Sequence, residues 1–189
     1  GYKTIQYSHI PAITLFPPAQ AKLVAIDLKT DGKNVGYIMG AGDMVPDALR
    51  ECGYHVTLLS PQNIGNQNLS QYDAIITGVR AYNVDKQLKF VQDKLLQYVK
   101  DGGTLVVQYN NNRGLVTDKL GPYPFTLTRD RVTEEDAAVS FINPENSSLH
   151  YPNEITQKDF DGWIQERGLY FTSDVDSHYQ KLFSMHDAD

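Results

Sequence analysis

Tyr72-Asp-Ala-Ile-Ile-Thr-Gly78 is a strand-forming run whose central residues are apolar without alternation. Alternation marks a sheet with one wet face, whereas an unbroken apolar run fits a strand covered on both faces, as in a parallel sheet. Downstream, residues 86–100 carry Leu88, Val91, Leu95, Leu96 and Val99 at helical spacing, Asp101-Gly102-Gly103 stops that helix, and Thr104-Leu-Val-Val-Gln-Tyr109 forms another strand. Upstream, Val35-Gly-Tyr-Ile-Met39 and His55-Val-Thr-Leu-Leu59 are strands on either side of a helix through Val45, Ala48 and Leu49. Asp43 is placed to cap that helix, and Gly53 to end it in a left-handed conformation. Four strands alternating with helices predict an α/β fold with a mostly parallel sheet and helices on both faces, and a flavodoxin-like order, if adopted, puts the switch point between the first and third strands.

Beyond Asn110 the rhythm fails. Asn110-Asn-Asn-Arg-Gly114 and Gly121-Pro-Tyr-Pro124 are loops, short strands are expected near Phe125–Leu127, Ala138–Ile142 and Leu169–Thr172, and Leu182-Phe-Ser-Met185 is a last apolar run. Thr156-Gln-Lys-Asp159 has capping-box spacing. This half reads as an irregular, β-containing insertion. No closing helix follows Met185, so the α/β domain, residues 31–189, reads as truncated at its C-terminus. In residues 1–30, Pro11, Pro17 and Pro18 favour extended and turn conformations, and the segment reads as a linker or the tail of a preceding domain.

Composition narrows the function. Seventeen basic against 23 acidic residues give a formal charge of −6, with no Lys/Arg cluster. Nucleic acid and anionic membrane therefore have no electrostatic footprint to use. No apolar run approaches the ~18 residues of a membrane-spanning helix. The single Cys52 excludes an internal disulfide, and its helical spacing from Ala48 and Leu49 predicts a packed thiol. The five histidines form no metal-ligand pair, and His178, His186, Asp187 and Asp189 read as a frayed end. No cofactor is expected: Gly40-Ala-Gly42 lacks the third glycine of a dinucleotide fingerprint, and Asp43 would repel a pyrophosphate.

In open α/β sheets ligands bind beyond the carboxyl ends of the strands, where strand order reverses. That rule gathers Asp43, Arg80, Tyr82, Asn83, Gln108 and Asn110 as candidate ligand contacts, with Tyr109 beside them, a set suited to a hydroxyl-rich ligand. In the insertion, Arg129–Asp136 alternates charge and reads as an ion-pair lattice. Asp159-Phe-Asp-Gly-Trp163, followed by Glu166 and Arg167, sets the only tryptophan between carboxylates and a guanidinium, a common way to hold a sugar ring. Trp163, Glu166 and Arg167 join the candidate contacts. Asp161 and Glu166 also form a candidate acid–base pair for glycoside hydrolysis, provided their carboxyl groups lie about 5–9.5 Å apart.

Gly36-Tyr-Ile-Met-Gly-Ala-Gly-Asp43, Gly78-Val-Arg-Ala-Tyr-Asn83, Gly103-Thr-Leu-Val-Val-Gln-Tyr109, Leu120-Gly-Pro-Tyr-Pro-Phe125 and Asp159-Phe-Asp-Gly-Trp163 through Phe171 together resemble the C-terminal, class I glutamine amidotransferase-like domain of large PIG-L-type N-acetylglucosaminyl deacetylases from Bacteroidetes-like bacteria. The resemblance implies an accessory domain of an exported, carbohydrate-active enzyme, with a zinc deacetylase domain of the same polypeptide as partner and a glycan or amino sugar as ligand. The family's Ala-His-Pro-Asp-Asp zinc motif has no counterpart here, so no metal site is carried over. In amidotransferase-like folds the nucleophilic cysteine sits on the turn after the third strand. Here Val79 or Arg80 stands there, which implies a domain that binds without catalysing. Two alternatives stay open: a carboxylate hydrolase, or a purely structural module with an apolar face and no polar crevice.

Overall fold

The computed structural model describes residues 1–21, 23, 25–162 and 168–188. Strands β1 (Lys3–Tyr7) and β2 (Ile10–Leu15) form an antiparallel hairpin in which Ile5 faces Ile13 and Lys3 faces Leu15. Ile13 and Leu15 are exposed. The segment read as linker or tail therefore carries two paired strands.

The body is an α/β unit. Strands β3 (Asn34–Ile38), β4 (His55–Leu59), β5 (Ala74–Thr77) and β6 (Thr104–Val107) form one sheet in the order β4-β3-β5-β6, with every pairing parallel. These are the four strands expected from sequence, lying second-first-third-fourth. Helix α1 (Val45–Glu51) connects β3 to β4, and the short helices α2 (Pro61–Ile64) and α3 (Ala81–Val84) precede and follow β5.

The helix expected over 86–100 is broken. A 3-10 turn covers Leu88–Phe90, then α4 runs over Gln92–Lys100. Asp85 accepts a hydrogen bond from the Gln87 amide (2.8 Å), an Asx turn that competes with helix at the first residues. The apolar stripe survives because the turn and α4 present Leu88, Val91 and Leu95 to the same cluster.

That cluster covers one sheet face, where Ile38, Leu59 and Ile75 meet Leu88, Leu95 and Tyr98. The row Leu58–Tyr37–Ile76–Val106 crosses the other face. There Leu58 is 50% and Val106 42% exposed. Coverage on both sides thus holds for β3 and lapses towards both edges. The same thin cover corrects the expectation for Cys52, which is exposed. Pro46 is the only buried residue of α1, so the helix turns Ala48 and Cys52 to solvent. Gly53 has φ +95° and ends the helix as expected.

The insertion is tied together by long-range strand pairs. β7 (Thr126–Leu127) pairs with β11 (Thr172–Ser173), β8 (Arg131–Val132) with β10 (Gly168–Leu169), and β9 (Ser140–Phe141) with β12 (Phe183–Ser184), all antiparallel. Phe141, Phe160 and Phe183 pack edge to face around the last pair. Thr156 begins a 3-10 turn, its amide donating to the Asp159 carboxylate (2.6 Å) as the capping box predicts. Asp187, read as part of a frayed end, instead accepts from the amides of Thr133 (2.7 Å) and Glu134 (2.9 Å). Those bonds anchor the Arg129–Asp136 segment to the C-terminal stretch. Among the described residues no helix is long and apolar enough to cross a membrane.

Candidate functional site

The loops after β3 and β5 meet where strand order reverses. They meet closely: the Ala41 amide donates to the Val79 carbonyl at 2.7 Å. A Cβ on Gly40 would lie 2.0 Å from that oxygen. The crevice expected between the first and third strands is therefore filled by backbone, and the glycines of Gly40-Ala-Gly42 serve this approach and a turn at Gly42 (φ +72°).

On the thinly covered face a polar clasp spans three strands. The Gln108 side-chain amide donates to the Tyr37 hydroxyl (2.8 Å), which donates to Asp43 Oδ1 (2.5 Å). Tyr37 lies on β3 and Gln108 just past β6, so the chain of bonds passes over the end of β5. Gly78 makes this possible. A Cβ there would lie 2.4 Å from Asp43 Oδ2 and 3.0 Å from the Tyr37 hydroxyl. Burial, then the bond to Asp43, pushes the Tyr37 phenol well above its ordinary pKa. Asp43 is thus a member of the clasp rather than the residue capping α1. Met44 holds that position, and Asp43 Oδ1 accepts a longer bond from the Val45 amide (3.3 Å).

Two more candidates turn inward. Tyr82 is fully buried and its hydroxyl donates to Gln92 (2.8 Å), with the phenol pushed up to about 12 by burial. Asn110, also buried, accepts from the Tyr82 amide (3.1 Å). Asn83 docks the asparagine-rich loop onto α3, donating to the carbonyls of Asn111 (3.1 Å) and Arg113 (3.0 Å) and accepting from the Asn111 amide (3.0 Å). These side chains spend their polar groups on the fold.

Arg80 differs. It follows Gly78-Val79 at the bend into α3, with φ +57° and ψ +24°, a left-handed conformation uncommon outside glycine and asparagine. Its amide donates to the Tyr109 carbonyl (2.6 Å), which holds the bend against the end of β6. The side chain is exposed, and its guanidinium makes no hydrogen bond or ion pair with a described residue. Tyr109 beside it is 41% exposed, and its ring lies 5.9 Å from that of Tyr170, itself left-handed (φ +58°). At the ends of β5 and β6, Arg80 is thus exposed, and Tyr109 and Tyr170 pack together as partly exposed rings.

Trp163, Glu166 and Arg167 lie outside the described residues, so the Asp161–Glu166 separation has no value here. Asp161 is exposed. Among the described residues no group of three or more His, Cys, Asp or Glu side chains is arranged to hold a metal ion. Sequence reasoning missed Tyr37, the centre of the clasp. Its signal was a phenol inside an apolar strand, where a buried hydroxyl needs a partner.

Comparisons with protein-family models, with curated proteins and with solved structures each returned no match.

Proposed function

We propose that this chain is a non-catalytic, class I amidotransferase-like accessory domain of a carbohydrate-active, PIG-L-type protein, binding a hydroxyl-rich ligand at its strand ends or packing on a deacetylase domain of the same polypeptide. The second-first-third-fourth parallel order supports the flavodoxin-like assignment. The observation that carries the functional reading is Arg80. It occupies the left-handed bend after the third strand, where an amidotransferase would hold its thiol, and a guanidinium cannot attack a carbonyl. Exposed, and without a side-chain partner among the described residues, its guanidinium suits hydrogen bonding to sugar hydroxyls.

Affinity electrophoresis in gels containing N-acetylglucosamine polymers tests this. The native chain should be retarded, and Arg80→Ala should weaken binding about tenfold, the ~1.4 kcal/mol within reach of a charged hydrogen bond. Undiminished retardation of Arg80→Ala, or ammonia release from glutamine by the native chain, would sink the reading.

A second reading is favoured by the backbone-filled crevice and by Leu58 and Val106 on the open sheet face: a module that only packs against another protein surface. On that reading Leu58→Lys/Val106→Lys abolishes co-elution with the deacetylase domain and leaves glycan retardation, if any, untouched.

A further inference from the structure

Tyr170 lies in the insertion. The next residue, Phe171, lines a groove of about 800 Å³ between the β7–β11 and β9–β12 pairs. This volume lies within the range of small-molecule sites. Its walls are apolar, formed by Phe125, Phe171, Leu182, Phe183 and Met185, with Asp130, Arg131 and Lys181 among the polar residues that also line it.

The charges decide what the groove fits. Asp187, also in the lining, is engaged by Thr133 and Glu134 and lies close enough to Arg131 to feel its charge. That leaves the Asp130 carboxylate and the Lys181 ammonium, which make no hydrogen bond or ion pair with a described residue. One strong acceptor and one strong donor remain beside an apolar floor. An anion meets Asp130, a cation meets Lys181, and a purely apolar ligand strips water from both without replacing their hydrogen bonds. A neutral ring with apolar faces and hydroxyl edges satisfies all three features. We propose that the groove supplies additional subsites, beyond Arg80, Tyr109 and Tyr170, for the pyranose rings of a neutral oligosaccharide. This rests on the carbohydrate-binding reading above and adds to it the charge class of the ligand and its second contact surface.

The test titrates the isotope-labelled chain with neutral oligosaccharides of one to six residues (chito-, cello- and malto- series) while backbone amide NMR shifts are followed. Mono- and disaccharides should move Arg80 and Tyr109. Longer oligomers of at least one series should also move Phe171 and Leu182–Met185 and bind at least tenfold more tightly. Asp130→Asn and Lys181→Met, both at exposed positions, should each cost the long oligomer about fivefold and leave the disaccharide unchanged. Length-independent affinity with shifts confined to Arg80 and Tyr109 overturns the groove and leaves the carbohydrate reading standing. Loss of all sugar-induced shifts in every series overturns both. Movement of the groove residues by Nile red alone, with none from any sugar, assigns the groove to apolar ligands and also overturns the proposal.

Discussion

Gly40→Ala should unfold at markedly lower denaturant than the native chain. The new methyl would sit 2.0 Å from the Val79 carbonyl oxygen and 2.7 Å from the Gly78 carbonyl carbon. Neither is the far end of a flexible side chain, so relief requires moving one strand-end loop off the other and stretching the 2.7 Å bond from Ala41 to Val79. Overpacking against side chains typically costs ~1–3 kcal/mol. A collision with backbone lies at the upper end, and we expect a loss of about 3 kcal/mol, or roughly 6–12 °C in Tm for a chain of this length. Gly65→Ala is the matched control. Gly65 has φ −50°, and a Cβ there approaches nothing closer than the Gln62 carbonyl oxygen at 3.9 Å. That substitution should be neutral or stabilise by ~0.4–1 kcal/mol through the unfolded state. Urea unfolding followed by far-UV circular dichroism measures both. Equal midpoints for the two variants would refute the close approach of the loops.

The second large effect is alkaline. Three phenols, Tyr37, Tyr82 and Tyr98, are held above their ordinary pKa chiefly by burial, Tyr82 at about 12. A raised folded-state pKa contributes stability that is fully present below the unfolded value of about 10 and is lost as pH rises towards the folded value. Between pH 10 and 12 the folded chain holds protons that the unfolded chain has released. Tyr82 then lowers stability by about 1.4 kcal/mol per pH unit, and Tyr37 and Tyr98 act in the same direction. Stability should be flat in this respect up to pH 9.5 and fall steeply above it. Tyr82→Phe should flatten the slope by about one phenol's share, at the expense of a weaker fold at neutral pH because Gln92 loses a partner. Urea midpoints collected between pH 8 and 11.5 test this, and a native slope unchanged by the substitution would show that Tyr82 titrates normally.

Legibility followed segment length. The four parallel strands were readable because each is a run of apolar, strand-forming residues four or five long, bounded by glycines or by a predictable helix. The insertion was harder because its strands are two residues long, too short for any period, and pair across the sequence, as Arg131 does with Leu169 and Ser140 with Ser184. Cys52 was misread since helical spacing places a residue on a face but does not say whether that face is covered. The candidate site was legible in location and much less so in direction. Asp43, Arg80, Tyr82, Asn83, Gln108 and Asn110 do gather at the strand ends, as the switch-point rule demands. Which of them turn outward depends on partners the sequence does not label: Gln92 draws Tyr82 inward, and Tyr37 claims Asp43 and Gln108.

The Gln108–Tyr37–Asp43 clasp links two strands that are not hydrogen-bonded neighbours. By bridging over Gly78 it fastens the strand tips sideways, independently of the ladder. Arg80 and Tyr109 stand on that fastened edge, each one or two residues from an anchored position. A ligand arriving there meets a pre-organised surface and forfeits little chain freedom on docking.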